Sequence, residues 1–151
     1  AMGSVTVPGR PHFWAAPFEV DGEFGGLGPC PDAFPLQVPK SEKREAFKAQ
    51  ANTTIAIVAT DAALTKAQCK RLAIIAHDGL ARAIVPAHTP YDGDLVFALS
   101  TGNIPLVDPA EDGTLIGHAA AVCLARAIAR AVYTAIPDDN DILPTWSQKW
   151  G

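Results

Sequence analysis

Apolar positions along the chain fall into separate blocks, and each block has its own period. TTIAIVAT, residues 53–60, is short, β-branched and apolar and ends at Asp61. A continuous run of that length predicts a strand buried on both faces. Cys69, Leu72, Ala73, Ala76, Leu80, Ala83 and Ile84 then recur at three- and four-residue intervals, while Lys66, Lys70, Arg71 and Asp78 fall elsewhere. This is the period of an amphipathic helix, predicted over 65–84, with Thr65 and Gln68 as a capping box and Pro86 as its stop. AHTPYDGD, residues 87–94, reads as a polar turn into LVFALST, residues 95–101, a second buried strand. After a loop over 102–113, the alanine-rich segment 114–135 predicts a long helix with Ile116, Ala120, Cys123, Ala127, Ile128 and Ala131 on its apolar face.

Strand, helix, strand, helix describes an α/β layered fold. Two strands make a marginal sheet, so further strands are expected from elsewhere. The first third is different in character. Most of the 13 prolines and 12 glycines lie there, which excludes long helices and central strands. The same segment carries Phe13, Trp14, Phe18, Phe24 and Phe34, so it is expected to lie ordered against another surface. KSEKREAFK, residues 40–48, reads as an exposed connector. The acidic tail over 137–151, with Trp146 and Trp150, reads as poorly structured or bound to a partner.

The length of 151 residues suits a single domain, and 48% apolar against 19% charged residues is a globular composition. A net charge of -4 with no basic stripe argues against nucleic acid as a partner. No apolar run approaches the roughly 20 residues that cross a bilayer, and no signal peptide opens the chain, so a cytoplasmic protein away from membranes is expected. Cys30, Cys69 and Cys123 form no CxxC pair and are expected to be reduced, mostly buried thiols.

Three groups of residues carry chemistry worth weighing. Asn52-Thr53-Thr54 opens the first strand. Thr suits strands and Asn suits turns, so the plain reading is structural. The functional reading is self-cleavage between Asn52 and Thr53, which frees an α-amine on the residue that bears the hydroxyl. One residue then supplies nucleophile and general base, and an α-amine of pKa near 7.7–8.0 suits proton transfer at neutral pH. Asp92-Gly93-Asp94 is either an ordinary turn or a pair of carboxylates that position and tune that amine, with the glycine letting the backbone bend. Repulsion between the two is expected to raise the pKa of one. His77-Asp78, His88 and His118 show no metal-ligand spacing: His77 reads as packing or capping, His88 as a loop residue and His118 as helix surface. No metal and no cofactor are expected.

Together, AMGSVTVP, HFWAAPFE, NTTIAIVATDAALTKAQCKRLAIIAHDGLARAI, HTPYDGDLVFALSTG and GHAAAVCLARAIARAV resemble the self-processing L-aminopeptidase/D-esterase family, which includes the nylon-oligomer (6-aminohexanoate-oligomer) endohydrolases. The resemblance runs to about residue 136 and is most specific over 52–101. It implies an N-terminal-nucleophile amide hydrolase that cuts itself into a larger and a smaller chain. Thr53 matches the nucleophile and Asn52 the residue before the cut, while Thr53 with Asp92-Gly93-Asp94 looks like the nylon-hydrolase branch. That points to linear amide oligomers as substrate, with release of N-terminal amino acids from peptides as the alternative.

The resemblance also implies an αββα sandwich of which this chain carries the C-terminal part. Residues 1–52 would end the larger chain and 53–151 would form the smaller one. A catalytic Lys and an oxyanion-stabilising Asn would lie before residue 1, in a homotetramer or higher oligomer. A rival reading makes the chain a non-catalytic assembly fragment, whose aromatic arm and tail form an interface.

Overall fold

The computed structural model describes residues 1–33, 38–40 and 53–151. A 3-10 turn at Ala16–Phe18 is followed by strand β1 (Ile55–Ala62), helix α1 (Lys66–Ala83), strand β2 (Leu95–Ile104), helix α2 (Pro109–Tyr133) and helix α3 (Trp146–Trp150). The connector expected at 40–48 lies outside the described residues except for Lys40, and so does Phe34.

β1 and β2 pair in parallel, with Ile55 opposite Leu95 and Thr60 opposite Ser100. The register then slips, so that Ala62 meets Ile104. Gly102 takes up the slip at φ 75°, a left-handed conformation that side chains other than glycine's rarely adopt. The Ser100 hydroxyl secures the distorted end, donating to the Ala62 carbonyl at 2.6 Å and accepting from Leu64 N–H at 3.1 Å.

Helix α1 begins where its cap predicts. Thr65 accepts from Gln68 N–H while the Gln68 side chain accepts from Thr65 N–H, each closing one end of the first turn. Leu72, Ala76, Leu80 and Ala83 form its buried stripe. Helix α2 starts at Pro109, not in the segment 114–135, because Asp108 accepts from Ala110 and Glu111 N–H and Pro109 suits a first helical turn. The loop expected over 102–113 therefore shrinks to the few residues between β2 and α2.

The face of α2 buried against α1 is Gly117, Ala121, Leu124, Ala125 and Ala129. The stripe read from the sequence is offset from it. Ile116, Ala120, Cys123 and Ala127 instead line a groove beside the outer edge of β1, so α2 is apolar on two faces. It is the one helix among the described residues long and apolar enough to cross a membrane by length and composition. That corrects the reading that no apolar run reaches this length; the apolar residues of its inner face are accounted for by packing on α1. Cys123 is exposed and Cys30 and Cys69 are half-buried, so these free thiols are less buried than expected.

The sheet is covered on one side. Ala56, Val58 and Val96 face the helices, whereas Ile55, Ile57, Phe97 and Leu99 are 68%, 64%, 59% and 50% exposed. Burial on both faces is thus not observed for either strand: the side chains alternate, and the described residues place no layer on the second face.

The proline- and glycine-rich arm packs against the helices, as its aromatic content predicts. Ser4 and Val85 exchange backbone hydrogen bonds, and Phe13 and Phe24 are buried with ring centroids 5.4 Å apart. The tail is ordered too, contrary to the expectation of a loose end. Trp146 stacks on Phe13 at 6.0 Å, sits 4.8 Å from Tyr133 and donates its indole N–H to the Pro11 carbonyl at 2.9 Å. The described arm and tail aromatics therefore close largely on each other and on the helices.

Glu23 ties the arm to α2 through Arg126 at 2.5 Å, with Arg130 at 3.6 Å. The hydrogen bond from Arg126 holds the Glu23 carboxyl below its ordinary value, against an opposing effect of burial. A lowered native pKa means that the pair's contribution is full above pH 4.5, the ordinary value, and is lost as pH falls through the native one. Thermal unfolding of the complete protein and of Glu23→Gln should therefore differ above that pH and converge below it. A pH-independent difference would show that the charge is not what matters. Phe24→Ala should cost about 3–5 kcal/mol in chemical denaturation, since Phe24 is 1% exposed. A loss under 1 kcal/mol would mean that the arm is not part of the core.

Candidate active site

Parallel pairing puts the amino ends of both strands side by side. Thr53 and Thr54 lead into β1, Asp92, Gly93 and Asp94 lead into β2, and Ile55 lies opposite Leu95. The two sequence groups judged separately are thus neighbours in space. Leu95 N–H donates to the Thr54 carbonyl at 3.0 Å, and Thr54 N–H donates to Asp94 Oδ1 at 2.8 Å. The Ala1 nitrogen completes the cluster, 2.8 Å from Thr54 Oγ1 and within hydrogen-bonding distance of Asp94 Oδ1. Thr53 itself is exposed, beside Gly93.

The two carboxylates are held differently. Asp92 Oδ2 accepts from Thr89 N–H at 2.9 Å while Asp92 N–H donates to the Thr89 carbonyl at 3.0 Å, closing the turn on itself. Only 1% of the Asp94 side chain is exposed. Burial pushes its pKa up, and the hydrogen bond from Thr54 N–H pulls it down.

Asp92 Oδ1 and Asp94 Oδ2 are buried and have no hydrogen-bond partner among the described residues. Each aspartate thus keeps one buried oxygen able to accept from an N–H donor. A groove of about 830 Å³ runs from Ala1 and Thr54 past Ile55 and Ile57 to Ile128 and Trp146.

A model of peptidase family S58 matches residues 29–139, a span that contains Thr53 and both aspartates. The chain belongs to peptidase family S58. It is 42% identical over 95% of its length to an uncharacterized aminopeptidase of Mycobacterium bovis, and equally to one of Mycobacterium tuberculosis. It is also 32% identical, over 53% of its length, to a 6-aminohexanoate-oligomer endohydrolase of Kocuria, covering 24% of that protein. The chain spans 46% of the length of the first two relatives.

In this S58 chain the contacts of His77 and His88 are with each other, ring centroids 5.1 Å apart, and His118 is on the exposed face of α2. No group of three or more His, Cys, Asp or Glu side chains suited to a metal occurs among the described residues. Asn52 lies outside the described residues. Thr89 was not picked out by the sequence reading, although its spacing to Asp92 is a recognisable turn signal. Ala1 was not either, and only the fold brings it to Asp94.

Asp94→Ala would leave Thr54 N–H without its acceptor at the head of β1. It should destabilise the complete protein by about 1–3 kcal/mol in urea unfolding. Asp94→Asn keeps an acceptor oxygen and should lose less; equal losses would mean that the hydrogen bond is not what holds the strand.

Proposed function

We propose that this chain is the C-terminal part of a self-processing amide hydrolase whose nucleophile is Thr53. The observation that carries this reading is the junction of Thr53 with two carboxylates, Asp92 and Asp94, each with a buried oxygen to spare. In processing, Thr53 Oγ attacks the Asn52 carbonyl carbon. The C–N bond breaks, the freed nitrogen becomes the α-amine, and water hydrolyses the resulting ester. In turnover that amine accepts the hydroxyl proton as Oγ attacks the substrate carbonyl, then hands it to the leaving amine as the C–N bond breaks. Water, deprotonated by the same amine, attacks the acyl ester and returns Thr53. Asp92 and Asp94 orient the amine and offset its charge.

Incompleteness of the sheet supports an origin in a longer polypeptide. Ile55, Ile57, Phe97 and Leu99 form an uncovered apolar face, and the relatives are about twice as long as this chain. The occupant of that face, on this reading, is the segment preceding residue 1, as the second half of an αββα sandwich. It would also bring the Lys and the oxyanion-stabilising Asn, in a homotetramer or higher oligomer.

Two substrate readings remain. Coverage of 95% by relatives named aminopeptidases favours release of amino acids from peptides. The weaker likeness to the 6-aminohexanoate-oligomer endohydrolases keeps linear amide oligomers as the second. Intact-mass analysis of the complete polypeptide should find two products, the smaller beginning at Thr53. Thr53→Ala should stay uncut and lose about a thousandfold or more in kcat. An uncut active enzyme, or an active Thr53→Ala, overturns the mechanism. Parallel assays on an amino-acid p-nitroanilide and a 6-aminohexanoate oligomer decide between the substrates.

A further inference from the structure

Gly93 is the member of the Asp92-Gly93-Asp94 turn that the chemistry above leaves unused. Its backbone is not left-handed, so conformation does not demand a glycine, contrary to the reading that it is there to let the chain bend. The demand comes from a neighbour. A methyl group built on Gly93 would lie 2.8 Å from Thr53 Oγ1 and 3.9 Å from both Cβ and Cγ2 of Thr53, and these are its three nearest heavy atoms. Gly93 is exposed, so no surrounding core explains the missing side chain.

Thr53 cannot yield easily to such a methyl. A β-branched side chain is stiff about χ1, and the rotation that would relieve the contact carries Oγ1 away from the turn. The backbone behind it is fastened as well, through Thr54 N–H to Asp94 Oδ1 and Leu95 N–H to the Thr54 carbonyl.

We propose that Gly93 is a positioning residue for the nucleophile: the absence of a side chain at 93 is what allows the Thr53 hydroxyl to rest against the carboxylate turn. This rests on Thr53 being the nucleophile. The role is steric and acts through Thr53, without contact between Gly93 and substrate.

The test uses the complete polypeptide with Gly93→Ala, Thr53→Ser, the double variant and Thr53→Ala, read by the rate of self-cleavage and by turnover of an amino-acid p-nitroanilide and a 6-aminohexanoate oligomer. Gly93→Ala should fold with an unfolding temperature close to wild type. It should slow cleavage and lower kcat about a hundredfold, the scale of a 1 Å misplacement, with KM changed less than about twofold. In the Thr53→Ser background the same substitution should cost a similar factor, because a serine Oγ has to occupy the same place beside residue 93. A loss in the Thr53 background alone, wild-type kcat, a change confined to KM, or failure of Gly93→Ala to fold would each overturn the proposal. If Thr53→Ala is inactive while Gly93→Ala is fully active, this inference alone fails; if Thr53→Ala is active, the nucleophile assignment fails first.

Discussion

The hydrogen bond from Thr54 N–H to Asp94 Oδ1 is the joint on which the site depends. It links the residue before β1 to the residue before β2 at the point where the parallel ladder begins, with Leu95 N–H returning to the Thr54 carbonyl. Everything proposed for Thr53 follows from that joint. Shift the register by one residue and the side chains of β1 change faces, taking Ala56 and Val58 out of the core. The helices packed on Ala56, Val58 and Val96 therefore hold the position of Thr53 indirectly, by fixing which residue of β1 meets which residue of β2.

Most element types were legible because local rules decided them. The capping box at Thr65 and Gln68 set the start of α1, and Pro86 follows its end. The start of α2 was misplaced because residues 102–113 were read as a loop. Proline at the first position of a helix behind an Asp cap is a helix signal of its own. Burial was less legible. TTIAIVAT reads as buried on both faces, while the described residues cover one. A strand's composition reflects the whole assembly in which it works, so an apolar face without a cover in this chain is consistent with one supplied by residues outside it. The same reasoning applies to the offset stripe on α2, whose residues line a groove along the edge of β1.

The site was half legible. Thr53, Asp92 and Asp94 stand out as residue types, but their separation by about forty positions hides their contact until the parallel pairing is known. Thr89 was readable in principle from its spacing to Asp92. Ala1 was not, since a backbone nitrogen from the arm carries no side-chain signal. The backbone donor that reaches Asp94 was also beyond sequence reasoning, since only the strand pairing brings Thr54 N–H to it.

Location at the amino ends of the strands has a chemical meaning. In open parallel α/β sheets ligands generally gather at the carboxyl ends. A nucleophile that must also present its own α-amine cannot sit there, because its chain has to begin at the reacting residue. The strand it opens must run away from the site, and a parallel neighbour is then the simplest way to bring carboxylates to the same end. Thr53 ahead of β1 and Asp92 and Asp94 ahead of β2 satisfy that requirement. The arrangement thus fits proposed N-terminal-threonine chemistry more closely than an internal serine or threonine triad, which would place no such demand on strand direction.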